Sequence, residues 1–389
     1  MKNIKFYFIG LTFIALQINA QTKTNRSNSE YTFTVVKSLE ATPIQNQNQT
    51  STCWSFSALS FFESEIARLG KGKDLNLSEM FVVRKAYPMK AQNFIRMHGK
   101  NNLGEGGGFP DVLAVIKKYG MVPEDVYTGK KNVNEPHNHG LLEKTLQGIL
   151  APAADASTQK IDYEFMMANV ESVCDNFLGK IPEKFDYKGK SYTPQTYAQA
   201  TGIVPDDYVL ITSYTHHPYY EKFVLEVPDN WGWEKVYNLP LNELQESMSY
   251  AIANGYTFGW AADVSEKGFL FKDGVAVVPE KPYDQMNEID KLSLGIKPHK
   301  QLTITPEIRQ KAFDDYDTQD DHGMHAIGTV KDQNGTLYYT IKNSWGTKRN
   351  ECDGYFYASE SYMLYKTTSL MLHKKALPAA IAKKLGITQ

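Results

Sequence analysis

The pattern of apolar and polar positions predicts a helix that begins at a cysteine. Four apolar side chains after Thr52 recur at spacings of four, four and three residues, which places them on one helical face. They are Ala58, Phe62, Ile66 and Leu69. Ser51 or Thr52 can cap the start of this helix, and Gly70 can end it. Cys53 therefore falls in the first helical turn.

The remaining periodicity predicts a mixed α+β chain. Helical spacing recurs at 111–119, 141–150, 163–177 and 241–254, and extended patterns occur at 31–36 and 257–264. Residues 178–235 are rich in Pro, Tyr and Lys, which indicates irregular structure or an inserted subdomain.

Near the end of the chain the pattern predicts a β-hairpin. Residues 326–331 and 336–342 are strand-like, and the four residues between them end in Asn-Gly, a strong turn signal. Counting outward from this turn brings His325 and Asn343 to the same end of the ladder. There Asn343 would accept the ring N–H of His325 and fix its tautomer. Simple packing of a histidine beside a strand is the alternative.

Cys53 is a candidate nucleophile because of its place on the helix. A thiol attacks as thiolate, and a helix N-terminus favours the thiolate by placing positive partial charge beside it. An inert buried cysteine is the alternative. Gln47, six residues earlier, offers an amide that can stabilise an oxyanion together with the backbone N–H of Cys53. Its loop also holds Gln45 and Gln49, so an ordinary loop glutamine is possible as well.

Three stretches around these residues are distinctive. They read Ser51-Thr52-Cys53-Trp54-Ser55-Phe56, Asn343-Ser344-Trp345-Gly346 and Asp320-Asp321-His322-Gly323-Met324-His325-Ala326. The first two resemble the active-site segments of the papain superfamily, in which Gln, Cys, His and Asn follow one another as Gln47, Cys53, His325 and Asn343 do here. The third is similar to the bleomycin hydrolase and aminopeptidase C branch of that superfamily.

The resemblance implies a papain-like, two-lobed α+β fold. Residues 21–389 would form one peptidase domain, with a large and mainly helical insertion at about 125–240. One lobe would hold the nucleophile helix, and a β-rich lobe would hold His325 and Asn343. The implied activity is that of a cysteine peptidase acting on peptide substrates through an acyl-enzyme.

The resemblance also implies substrate-binding residues. Residues 107–110, which read GGFP, resemble the loop whose backbone pairs with the substrate. By this pattern Gly107 and Gly108 would lie beside the substrate, and Gly108 would hold the residue that precedes the scissile one. Trp345 would shield the contact between His325 and Asn343 from water.

The sequence departs from the papain pattern in its spacing. Papain-type enzymes place the histidine and asparagine about 130–150 residues after the cysteine, whereas His325 follows Cys53 by about 270 residues. Members of the bleomycin hydrolase branch share the longer spacing and are typically intracellular homohexamers, in which a C-terminal arm restricts the cleft to aminopeptidase work. The tail after Pro378 is short here, so an aminopeptidase and an endopeptidase with an open cleft both remain possible.

Composition bounds the remaining choices. The chain has 389 residues, 42% of them hydrophobic, and a net charge of -2, which gives no electrostatic reason to expect nucleic acid as a partner. Lys2 and Lys5 precede an apolar run at 6–16 and a small residue, Ala20, which is the pattern of a cleaved signal peptide over residues 1–20. This run is too short to span a bilayer. The predicted location is therefore periplasmic or extracellular.

Cysteine and histidine counts indicate no cofactor. Cys174 and Cys352 are the remaining cysteines, and whether they form a disulfide is open from sequence alone. The histidine pairs at 216–217, 137–139 and 322–325 lack carboxylates at a convincing ligand spacing, so no metal is expected. A non-catalytic peptide-binding or assembly protein on the same fold is the alternative function.

Overall fold

The computed structural model describes residues 22–132, 134–154 and 160–389. The predicted signal peptide, residues 1–20, lies outside these ranges and stays a prediction. The α-helices of the described residues are α1 (Cys53–Arg68), α2 (Glu79–Arg96), α3 (Phe109–Tyr119), α4 (Gly140–Ala154), α5 (Tyr163–Leu178), α6 (Pro194–Thr201), α7 (Leu241–Ala253), α8 (Glu288–Ser293), α9 (Pro306–Asp314), α10 (Glu360–Lys366) and α11 (Ala379–Lys384). Not one of these described helices has both the length and the apolar character that a bilayer crossing requires.

Most strands join a single sheet. The strands of the described residues are β1 (Thr22–Lys23), β2 (Phe33–Ser38), β3 (Phe185–Tyr187), β4 (Lys190–Tyr192), β5 (Tyr208–Thr212), β6 (Lys222–Val224), β7 (Lys235–Asn238), β8 (Phe258–Ala262), β9 (Phe269–Leu270), β10 (Val275–Ala276), β11 (His322–Lys331), β12 (Leu337–Lys342), β13 (Tyr355–Ser359) and β14 (Thr367–His373). The sheet order is β6-β7-β5-β14-β8-β11-β12-β13-β10-β9. β2 extends the sheet beside the second half of β11, and β3 pairs only with β4.

The two largest hydrophobic cores of the described residues separate helices α1–α6 from most of the main sheet. The first joins α1, α2 and α3 to the helices that follow them, and Phe61, Phe81 and Leu146 are fully buried in it. The second lies between the sheet and α7, where Trp260 and Tyr339 are fully buried. This arrangement confirms the predicted two-lobed α+β fold.

The helix that carries Cys53 begins and ends close to where the pattern places it. α1 starts at Cys53 and stops at Arg68, just before the predicted breaker Gly70. Thr52 occupies the N-cap position, but its side chain makes no capping hydrogen bond and instead lies 2.6 Å from the hydroxyl of Thr50. Cys53 is therefore the first helical residue, as predicted.

β11 and β12 form the predicted hairpin with one irregularity. Between the turn and Gly328 the pairing follows simple counting. Ile327 then forms a β-bulge, one extra residue in β11, and shifts the register by one position. Beyond the bulge His325 lies opposite Lys342, one position short of Asn343.

The insertion changes character along its length. Up to Thr201 it contains the helices α4, α5 and α6 and the short hairpin of β3 and β4. From Tyr208 onward it contributes β5, β6 and β7, which extend the main sheet. At the C-terminus the side chain of Gln389 donates to the carbonyl oxygens of Lys374 and Leu377, at 2.9 and 2.7 Å. Cys53, Cys174 and Cys352 are all free thiols, so no disulfide joins the last two.

Candidate active site

Cys53 lies buried at the junction of the two lobes. It lines a cavity whose walls come from α1, the 107–110 loop, the start of β11 and the insertion. Burial raises the pKa of the Cys53 thiol to about 11, and the backbone N–H groups of Gly323 and Trp54 offset this only in part. The helix N-terminus alone therefore does not make Cys53 a thiolate.

His322 provides the imidazole of this cavity. It is the first residue of β11, and it lines the same cavity as Cys53. Its Nε2 lies 2.7 Å from Oδ1 of Asn343, which also accepts the backbone N–H of Ser344 at 2.7 Å. Because that backbone donor identifies Oδ1 as an acceptor, Nε2 of His322 must carry a proton. The neutral ring then has its lone pair on Nδ1.

The surroundings of His322 keep it neutral and dry. Burial lowers the pKa of His322 to about 4, although the hydrogen bond to Asn343 acts in the opposite direction. Trp345 covers the imidazole, with the two ring centroids 4.7 Å apart. Phe269 and Phe271 pack edge-on against Trp345 and hold it in place. Trp345 thus shields a His–Asn contact, as predicted, but the histidine is His322.

The predicted contact between His325 and Asn343 is wrong. His325 is 0% exposed, and its Nδ1 lies 2.9 Å from the hydroxyl of Ser60, two turns along α1 from Cys53. At 1.5 Å per residue, that is about 10 Å further along the helix. Burial and the positive charge of Lys342 hold the pKa of His325 well below its usual range. His325 is a neutral core residue in this structure.

The β-bulge explains this correction. Without the extra residue in β11, His325 would lie directly opposite Asn343. A one-residue shift moves every partner to the other face of the sheet. Side chains three positions apart on a strand also point to opposite faces, so His322 shares the face of Asn343 and His325 does not.

Gly323 is a residue whose importance sequence reasoning missed. A Cβ atom there would lie 2.6 Å from the hydroxyl of Ser57, 3.2 Å from Cα of Trp54 and 3.4 Å from the carbonyl oxygen of Cys53. The absence of a side chain therefore lets β11 touch the first turn of α1. The glycine beside His322 was the available signal, since glycine within a strand often marks a close backbone approach.

Gln47 lies next to the asparagine end of the site. Its Nε2 donates to the carbonyl oxygen of Thr50 at 2.7 Å, and its Oε1 accepts the hydroxyl of Ser344 at 2.6 Å. Its backbone N–H donates to the carbonyl oxygen of Ser344 at 2.9 Å. Gln47 thus connects the loop before Cys53 to the residue after Asn343, and one hydrogen of its amide is already used.

Gly107 and Gly108 line the cavity beside Cys53, and their contact with a substrate stays a prediction. A Cβ atom on Gly107 would lie 3.0 Å from the indole of Trp54, so the loop backbone packs closely against that side chain. The N–H of Gly108 donates to Oδ2 of Asp111 at 2.8 Å and is not free to pair with a peptide in this conformation. Trp231, from the insertion, donates to the same oxygen at 2.8 Å.

A segment of the predicted insertion forms part of the cavity wall. This wall segment, residues 225–231, follows β6 and forms most of its connection to β7. Its Trp231 is held by Asp111, and its Asp229 accepts a hydrogen bond from the side chain of Asn102 at 2.7 Å. The described residues of the C-terminal tail do not line this cavity; Ile387 and the residue after it line a separate groove. Among these segments, the wall segment is therefore the one that borders the cavity of Cys53.

Asp229 of the wall segment is hydrogen-bonded to Asp320, a second acidic residue of the cavity. The backbone N–H of Asp229 donates to Oδ2 of Asp320 at 2.8 Å, and both side chains line the cavity. Burial, followed by the negative charge of Asp320, raises the pKa of Asp229 to about 6. Burial also raises the pKa of Asp320. The positive charge of Lys90 lowers the pKa of Asp229. The Lys90 ammonium itself donates to the carbonyl oxygens of Gly104 and Gly106.

A buried cysteine at the start of the helix between two lobes, facing a His–Asn pair on the β-lobe, defines a papain-like protein. The chain belongs to the Peptidase C1-like family, whose sequence model matches residues 5–388. Family and relatives together support its assignment as a cysteine peptidase.

Several aminopeptidases and a solved structure are similar to this chain over most of its length. Aminopeptidase W of Lactobacillus delbrueckii subsp. lactis is 22% identical over 88% of this chain and 83% of its own. Aminopeptidase C of Streptococcus thermophilus is 22% identical over 92% of this chain and 86% of its own. The crystal structure of PepW from Lactobacillus rhamnosis HN001 superposes with a TM-score of 0.72 at 21% identity and covers 91% of this chain and 84% of that one. At this identity the superposition establishes the fold.

Proposed function

We propose that the protein is a cysteine aminopeptidase in which Cys53 is the nucleophile, His322 the general base and acid, and Asn343 the residue that orients His322. One observation carries the proposal: Cys53 and His322 line the same cavity, which the wall segment also lines, and His322 is hydrogen-bonded to Asn343. The names of the relatives, aminopeptidases C and W, agree with it.

The first step is acylation. Nδ1 of His322 takes the thiol proton of Cys53 as the sulfur attacks the peptide carbonyl carbon. Burial disfavours a lone thiolate and a lone imidazolium, so the two charges form together as an adjacent pair. The imidazolium then gives its proton to the leaving amine, the C–N bond breaks, and a thioester remains on Cys53.

The second step is deacylation. His322, neutral again, removes a proton from a water molecule that attacks the thioester carbon. The C–S bond breaks, the carboxylic acid leaves, and the sulfur recovers the proton. In both steps the oxyanion is stabilised by the backbone N–H of Cys53 and by the second amide hydrogen of Gln47. Asn343 keeps the Nε2 proton in place, so that Nδ1 stays the reactive nitrogen.

The wall segment restricts the site to free N-termini. It lies against the 106–108 loop, where Gly106 has no room for a Cβ because Asp229 occupies that space. By the papain pattern this is the side that binds residues before the scissile bond, so a long N-terminal extension would collide with the wall. The carboxylates of Asp229 and Asp320 offer a negative site for the α-ammonium group of the substrate.

A pair of peptides tests the proposal. We expect a free-amino peptide to be cleaved much faster than its N-acetylated twin. Asp229→Asn should raise KM for the free-amino peptide roughly 10- to 100-fold, the range for a hydrogen bond to a charged group, and should leave the twin unaffected. Equal rates for the two peptides with the wild-type protein would rule out a dedicated aminopeptidase. Absence of cleavage of either peptide would favour a non-catalytic peptide-binding protein.

A further inference from the structure

Outside the cleft, two histidines and a glutamate converge on one point. His216 and His217 follow β5, and Glu226 belongs to the wall segment across the hairpin. Nε2 of His217 lies 2.6 Å from one carboxylate oxygen of Glu226, and Nε2 of His216 lies 3.2 Å from the other. One ligand atom from each residue lies within 4.8 Å of the other two.

Gln310 fixes the tautomer of His216. Its Oε1 lies 3.1 Å from Nδ1 of His216 and accepts the backbone N–H of Thr215 at 2.7 Å, while its Nε2 donates to Asp314 at 2.8 Å. The backbone donor makes Oε1 an acceptor, so Nδ1 of His216 carries the proton. In the neutral ring the lone pair of Nε2 then faces the carboxylate of Glu226, so this contact is favourable only if the ring is protonated or a metal cation lies between the two atoms.

Aromatic packing holds both imidazoles in position. His217 stacks on Phe223 with ring centroids 4.2 Å apart, and His216 lies parallel to Phe313 at 5.7 Å. The side chains of both histidines remain 30% exposed, and that of Glu226 52% exposed. The nitrogen atoms are thus oriented before any ligand arrives, and one side of the cluster is open to solvent.

We propose that His216, His217 and Glu226 bind one divalent transition-metal ion of the zinc class. Two imidazole nitrogens and a carboxylate form a common zinc ligand set, and a fourth position on the solvent side would hold water. Ligand atoms around tetrahedral zinc lie roughly 3.3 Å apart at bond lengths near 2.0–2.1 Å, so small side-chain movements suffice. Gln310 plays the part of the hydrogen-bonded partner that usually orients a ligand histidine.

Sequence reasoning did not find this site. Glu226 lies nine residues after His217, with β6 between them. The two side chains come together only through the folding of β6 and the loop before it. The bound ion would tie the wall segment to the loop after β5. Glu226 is three residues from Asp229, so the site would hold the wall against the cleft.

Metal binding is best measured in a Cys53→Ala background, because a thiol beside an imidazole would itself bind zinc. The full chain is stripped with EDTA and titrated calorimetrically with Zn²⁺, and Co²⁺ absorption reports the ligand geometry. We expect one ion per chain. Gln310→Ala should weaken binding roughly 10- to 100-fold, and His217→Ala or Glu226→Ala should weaken it more. Zn²⁺ should also slow amide hydrogen exchange in residues 225–231, but not in the Glu226→Ala chain.

His98→Asn is the matched control. It removes an exposed histidine outside the cluster, and asparagine tolerates the φ of 53° at that position. Binding should be unchanged in this variant, and circular dichroism should show that all variants remain folded. The proposal is overturned if the parent chain binds no ion at micromolar concentration, or if His217→Ala and Glu226→Ala bind as tightly as the parent. The three side chains would then form only a His–Glu hydrogen-bonded cluster.

Discussion

At the residue scale, burial controls the charge of each group in the cleft. It raises the pKa of Cys53 to about 11 and that of Asp229 to about 6, and it lowers the pKa of His322 to about 4. At neutral pH the resting site therefore combines a thiol, a neutral imidazole and an ionised Asp229. The proposed reaction with an ammonium-bearing substrate uses all three of these states.

The acid limb of the pH profile follows from these pKa values. Asp229 is ionised above pH 6 and loses its charge as the pH falls, so kcat/KM for a free-amino peptide should fall through pH about 6. His322 stays neutral until pH about 4. In Asp229→Asn the limb should therefore move toward pH 4, which a pH series of initial rates would show. An unchanged limb would exclude Asp229 as the ammonium-binding group.

Single residues were predictable where the chemistry is local. Cys53 at the start of a helix, Trp345 over an imidazole and Gly107 in the cavity all follow from short motifs. The choice between His322 and His325 was not predictable in this way. It depends on which face of a strand each ring occupies, and a motif of seven residues contains both candidates.

At the element scale, the contact between α1 and β11 builds the site. Gly323 lets the strand approach the first turn of the helix, and the bulge at Ile327 sets which β11 side chains share a face with Asn343. The helix and hairpin were each predictable from periodicity and turn residues. The bulge was not, because an extra residue leaves no mark in an alternating pattern as short as this one.

Gly323→Ala tests the α1–β11 contact. The new methyl group would lie 2.6 Å from the hydroxyl of Ser57 and would push β11 away from α1. We expect a loss of about 1–3 kcal/mol in the free energy of unfolding, as for other overpacked sites, together with a lower kcat. Gly148→Ala, at a solvent-exposed position in α4, is the control. Nothing lies within 4 Å of its added Cβ, so this substitution should leave the free energy of unfolding unchanged or raise it slightly. Equal behaviour of the two variants in denaturant melts would refute the close-approach argument.

At the scale of the whole molecule, the insertion determines the shape of the cleft. Its helices pack on the lobe that holds α1, and its strands extend the sheet of the other lobe. The wall segment, between β6 and β7, lines the cavity and contacts the lobe of α1 through Asp111 and Asn102. Composition indicated an insertion, but its return to the active site depends on contacts between residues more than a hundred positions apart, such as Trp231 with Asp111.

Trp231→Phe should loosen this wall. It keeps an aromatic ring and removes the N–H that donates to Asp111, whose buried carboxylate has a pKa of about 7. Loss of that bond should cost about 1–3 kcal/mol and should raise the rate on N-acetylated peptides relative to free-amino ones. Trp233→Phe, at a 44% exposed tryptophan nearby, should change neither quantity. If both variants keep the wild-type ratio, the wall does not set exopeptidase action.

The most direct test of the account compares the two histidines. kcat/KM on a free-amino peptide is measured for His322→Ala and His325→Ala, with melting temperatures to confirm folding and Cys53→Ala as the inactive reference. Because His322 faces the cleft and His325 the core, His322→Ala should lose roughly 10²–10⁴-fold in rate with little change in melting temperature. His325→Ala should lose stability but keep its rate within about tenfold while folded. Full activity in His322→Ala, with activity abolished in a folded His325→Ala, would contradict the account.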